Sequence, residues 1–167
     1  MKPLFEAINN IFVEDQEVEK LSKHPYYKGV AKDQILDRQK WFQEKKKKYE
    51  KDDYSVYKEK GPGQDVETKP SPYTKKVRKK VKKKTKKVKT GLSLSEKAEL
   101  FNVPEKILKK VYRRGIGAWT SGHRPGVGPQ QWGHARVNSF LTKGTTYYTA
   151  DVDLAKQWKL YKKNQKK

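Results

Sequence analysis

The 167-residue chain contains no cysteine, which excludes disulfides and thiolate metal sites. It has no run of about 18 apolar residues, so no segment is expected to span a bilayer. The start, Met1-Lys2-Pro3-Leu4-Phe5-Glu6, offers one Lys and no apolar stretch, unlike a secretory signal. Hydrophobic residues are sparse at 33%, against roughly 45–50% in ordinary globular domains. One core across the whole chain is therefore not expected. Histidine is limited to His24, His123 and His134, with no carboxylate at ligand spacing, so no metal is expected.

Acidic residues are missing where chemistry would need them. No Asp or Glu lies between Glu105 and Asp151, so the Gly-, Trp- and Arg-rich block 111–141 brings no metal-binding carboxylates. There is no Gly-Lys-Ser/Thr phosphate loop and no nucleophile on a recognisable elbow. His123 and His134 could serve as general bases beside Arg124 and Arg136. A nucleic-acid-processing enzyme centred on them is retained as an alternative. The main expectation is a non-enzyme with no catalytic residues and no cofactor.

What is present is positive charge. Lys and Arg number 41 against 19 Asp and Glu, a net charge of +22. Solubility needs only about 2–8 charges in a small domain, and self-repulsion on this scale calls for a polyanion. The charge is uneven. Residues 1–60 hold 14 basic and 12 acidic side chains, residues 61–90 hold 12 and 2, and residues 91–167 hold 15 and 5. From Thr74 to Thr90 the chain reads TKKVRKKVKKKTKKVKT, with 11 Lys or Arg and no acid. Such a block reads as a solvated interaction arm that meets phosphate with Lys75, Lys76, Arg78, Lys79, Lys80, Lys82, Lys83, Lys84, Lys86, Lys87 and Lys89. Val77, Val81 and Val88 would share one face if the arm became helical. The run is also compatible with a nuclear localisation signal.

The pattern predicts a mainly α protein in three parts. Residues 1–59 form a helical N-terminal module, 60–91 a Pro/Gly linker and extended Lys-rich arm, and 92–167 a compact helical C-terminal domain. Leu4, Phe5, Ile8 and Phe12 have helical spacing. A further turn runs past Val18 and Leu21 until His24-Pro25 stops it. Over 31–51, Ile35, Leu36, Phe42 and Tyr49 make an apolar stripe widened by Trp41, with Asp37, Arg38, Glu44 and Lys45 on other faces. Ser93 and Glu96 match a capping box, and Asn102 closes that helix in a left-handed conformation. Pro104 starts a second helix carrying Ile107, Leu108 and Val111, which Gly115 ends. This is a helix-turn-helix signature, although a simple packing hairpin has the same pattern. Lys106, Lys109, Lys110, Arg113 and Arg114 on the second helix suit phosphate, but the helix offers no Asn or Gln for adenine. Arg124 and Arg136 either bind phosphate or brace the loop through carbonyls. Trp119 reads as a loop anchor, Pro129 starts a helix to Leu141, and Asp151 caps a last helix with Leu154, Trp158 and Tyr161.

The stretch LKKVYRRGIGAWTSGHRPGVGPQQWGHARVNSFL, continuing to ADVDLA, resembles an uncharacterised domain of tailed bacteriophages, notably marine and cyanobacterial ones, and of some large DNA viruses. The resemblance covers about residues 94–156. Residues 23–80, with KGVAKDQILDRQKWF, DDYSVYK and TKPSPYTKKV, are more loosely similar to a second small phage module. They depart from it at Lys32-Asp33, where Ser or Thr is usual, and in a longer basic arm. The resemblance implies a viral origin and no particular activity. The resulting expectation is a virion-associated structural protein, in the host cytoplasm during assembly, contacting double-stranded DNA without sequence preference. A minor capsid, neck or tail protein whose arm threads between subunits is the alternative.

Overall fold

The computed structural model describes residues 14–51, 53–58, 61–63, 67–85 and 91–165. The candidates at Leu4, Phe5, Ile8, Phe12, Lys86, Lys87, Val88 and Lys89 lie outside the described residues. Among the described residues all regular structure is helical, as a mainly α chain requires. The helices are α1 over 14–22, α2 Lys32–Glu50, α3 Pro72–Thr85, α4 Leu94–Phe101, α5 Glu105–Trp119, α6 Pro129–Leu141, α7 Thr145–Tyr148 and α8 Val152–Asn164. They fall into two compact units. One comprises the chain up to Thr68 together with Thr120–Val127, and the other Lys69–Trp119 with Gly128–Lys167.

In the first unit α1 stops before His24-Pro25, and three successive turns lead to α2. The buried side of α2 is Ile35, Arg38, Phe42 and Lys45, one helical stripe at offsets of 3, 7 and 10. Arg38 and Lys45 thus sit on the core side, correcting the expectation that they face elsewhere. Arg38 has no exposed surface. Its Nε donates to Tyr26 O at 3.0 Å and its Nη2 to His123 O at 3.0 Å. Its Nη1 donates to Pro62 O. Its guanidinium also lies 4.8 Å from the Phe42 ring centre. Burial lowers its pKa to about 10, so it stays charged at neutral pH. A planar fork with five donors can hold three carbonyls at once, which an ammonium cannot match in the same geometry. The Lys45 ammonium lies 5.4 Å from the Trp41 ring centre, a distance at which the ring quadrupole attracts a cation.

In the second unit the core runs through Val77, Val81, Phe101, Leu108, Val111, Val137, Phe140, Leu154 and Trp158. The capping box forms as expected: Glu96 N donates to Ser93 Oγ at 3.1 Å, and Ser93 N to Glu96 Oε2 at 2.9 Å. Asn102 is left-handed at φ 51°, and its carbonyl accepts from Trp158 Nε1 at 2.8 Å, which ties α8 to the turn. Gly115 does not end α5, which continues to a buried Trp119. The reason is tertiary. A Cβ at Gly115 would lie 2.7 Å from Gly133 Cα, so the two glycines let α5 and α6 touch backbone to backbone. That close packing outweighs glycine's helix penalty of about 1 kcal/mol.

The stretch expected to be an extended arm is helical over Pro72–Thr85 and belongs to the second unit. Val77 and Val81 are buried in its core, as the helical alternative for these valines requires. Ser71 starts the helix, its Oγ accepting from Thr74 N at 3.1 Å. Asn138 Nδ2 donates to Thr74 Oγ1 at 3.1 Å, fixing the first turn on α6. Apolar burial on one side holds a helix that like-charge repulsion would melt in isolation.

Candidate nucleic-acid interface

The docking of α3 sorts its cations. At about 100° per residue, Lys75, Lys79 and Lys83 point away from Val77 and Val81. Lys76, Arg78 and Lys82 lie to either side of that line, and all six are exposed. Among the described residues none of the six side chains has a hydrogen bond or ion pair. Lys80 and Lys84 differ. Lys80 Nζ lies 4.5 Å from the Phe101 ring centre, and Lys84 Nζ donates to Leu100 O at 2.7 Å. These two lean on the end of α4, where a lysine satisfies a terminal carbonyl.

The basic residues of α5 divide the same way. Lys106, Lys109, Lys110 and Arg113 are exposed along one side. Lys109 is drawn to Glu105 at 3.1 Å, one turn earlier. Arg114 forks onto Asp153, with Nη1 and Nη2 donating at 2.7 and 2.8 Å. It also reaches Asp151 Oδ1 at 3.2 Å and Ala150 O at 3.1 Å. Its hydrogen bond holds the Asp153 carboxyl down at about 2, and the same bond raises the pKa of Arg114.

Asp151 is fully buried. It precedes α8 as expected but makes no side-chain cap. Its carboxylate instead takes Arg136 Nε and Nη2, each at 2.9 Å. Arg114 and Arg136 are phosphate candidates by sequence. Both are committed to Asp151, Arg136 largely buried and Arg114 at the surface, because a buried carboxylate needs charged donors and they supply them. Arg136 Nη1 additionally reaches the Arg114 carbonyl at 3.4 Å, the bracing role rather than the binding one. Arg124 is exposed on the 120–127 loop of the first unit.

The two histidines considered for catalysis have packing partners. In the first unit the His123 ring is fully buried, 5.7 and 5.0 Å from the Trp41 and Phe42 ring centres. In the second unit His134 lies 4.9 Å from the Tyr112 ring centre. Beside it is a residue that sequence reasoning overlooked. Lys97, only 5% exposed, places Nζ 3.5 Å from His134 Nδ1. Burial alone pushes the Lys97 ammonium down to about 8. Burial, and then the Lys97 charge, lower the pKa of His134. No spacing signal joins positions 97, 112 and 134, because three different helices bring them together.

Among the described residues no three His, Cys, Asp or Glu gather as a metal site, and no helix is long and apolar enough to cross a membrane. The arrangement offers solvent-facing ammonium and guanidinium groups on α3 and α5 and hydrogen-bond donors without competing carboxylates on α3. Such groups can donate to phosphate oxygens. No curated protein and no solved structure matches the chain. A family of unknown function (DUF5824) matches residues 23–157, most of both units, and the chain belongs to that family.

Proposed function

We propose that this protein contacts the phosphate backbone of double-stranded DNA without sequence preference, as a structural component of a phage virion. The observation that carries the reading is the ordered cationic face of α3. Six exposed basic side chains project from a helix whose other side is held by Val77 and Val81. A helix so anchored keeps its charges in place before binding, so less ordering entropy is lost than with a free arm. Lys106, Lys110 and Arg113 on α5 add a second basic stripe. The phage origin rests on the sequence resemblance over residues 94–156. Threading between capsid, neck or tail subunits would need α3 extended and detached, and its docked helical form favours the DNA reading.

The test is binding of the full chain to a random-sequence duplex, followed by fluorescence anisotropy across salt. Six phosphate contacts give a log–log slope of about −5. Replacing Lys75, Lys79 and Lys82 by Gln should reduce that slope by about 3 while leaving thermal stability intact. Affinity unchanged between about 50 and 500 mM salt would refute the proposal.

A further inference from the structure

On α5 the ion pairs leave a specific remainder. Lys109 is held by Glu105, and Arg114 by Asp151 and Asp153. The side chains of Lys106 and Lys110, one turn apart, have no hydrogen bond or ion pair among the described residues. Both line a shallow depression of about 310 Å³ between the start of α5 and α8, with Pro104, Ile107 and Gln157. The Gln157 side chain likewise has no partner among the described residues. The lining therefore combines two ammonium groups, one carboxamide N–H₂ donor and an apolar floor. No carboxylate lines it. Asp153, one turn before Gln157 on α8, is committed to Arg114.

We infer that this depression is a seat for a single phosphate group, held by Lys106, Lys110 and Gln157. A cationic ligand would meet two like charges there. A neutral ligand could accept hydrogen bonds from them but would leave both charges unbalanced. A monoanionic phosphodiester satisfies both ammonium groups electrostatically and accepts from the amide, and hydrogen bonds to ionised partners are the strong ones. In the reading proposed above, on which the identity of this ligand rests, the phosphate belongs to a nucleic-acid backbone. The seat then gives α5 a fixed point of contact, in contrast to the open cationic face of α3. A free phosphate ester has the same recognising chemistry.

Two measurements on the full chain separate these sources. The first is duplex binding against salt for wild type, for Lys106→Gln with Lys110→Gln, and for Lys156→Gln with Lys163→Gln as a control of equal charge outside the depression. The seat double variant should flatten the log–log slope by about 1, the share of one phosphate, and the control should flatten it less. Gln157→Ala should weaken duplex binding several-fold with no change of slope, which a purely electrostatic role would not produce. The second is an amide NMR titration with inorganic phosphate alone, in which residues 105–110 and 157 should shift in wild type and not in the seat variant. Phosphate shifts with an unaltered duplex slope would assign the seat to a free phosphate ester. Phosphate shifts in a wild-type protein that does not bind duplex would keep the seat and overturn the DNA reading. Salt-dependent duplex binding, with no phosphate shifts and no effect of the seat variants, would overturn the seat and leave the DNA reading standing.

Discussion

Replacing Lys97 with Met removes a buried ammonium while keeping a flexible chain of similar length. Its surroundings make the charge costly. The residue is 5% exposed, its pKa falls from 10.5 to about 8 through burial, and its ammonium meets His134 Nδ1 only at 3.5 Å. A pKa displaced by one pH unit corresponds to about 1.36 kcal/mol, so holding the proton in the folded state costs about 3 kcal/mol at neutral pH. The sign follows from proton binding. Between pH 8 and 10.5 the unfolded chain keeps the proton and the folded chain sheds it, so the penalty is complete below about 8 and fades as pH rises through that window. Lys97→Met should therefore stabilise the second unit by about 1–3 kcal/mol at pH 7, part of the gain being lost as His134 loses its contact. Urea denaturation at pH 7 and near pH 10.5 measures it, with the gap between variant and wild type narrowing at the higher pH. A variant less stable than wild type at pH 7 would refute the reasoning, since it would mean that the ammonium gains more from its surroundings than burial takes.

Gly115→Ala sets helix propensity against packing. The new Cβ would lie 2.7 Å from Gly133 Cα, a backbone atom that cannot swing aside, so a net loss of about 1–3 kcal/mol is expected despite the propensity gain; a more stable variant would show that α5 and α6 can part without cost. Asp151→Asn removes the charge that Arg136 and Arg114 share inside the fold and should cost about 3–5 kcal/mol in chemical denaturation, as breaking a buried pair does. A loss below about 1 kcal/mol would mean that the pair is solvated rather than structural.

Local rules carried the sequence reading a long way. The capping box at Ser93 and Glu96, the left-handed Asn102, the start of α6 at Pro129 and its end at Leu141 are set by neighbours within a few residues. So is the pairing of Val77 with Val81, which needs only a period of 3.6. The high positive charge and its concentration around Lys75–Lys89 are properties of composition alone. Tertiary structure decided the rest, wherever a residue's partner lies far along the chain. Arg38 looks like a surface residue until Tyr26, Pro62 and His123 offer it their carbonyls. Gly115 looks like a helix stop until Gly133 comes against it. Arg114 and Arg136 look like phosphate ligands until Asp151 is buried between them. The Lys-rich stretch reads as a solvated arm until the α6 side of the core accepts its two valines. By itself the sequence determined how much charge this protein carries and where several of its helices begin. Only the fold decided which of those charges face solvent, because each ion pair and each buried contact that withdraws one is made across a distance that no local pattern encodes.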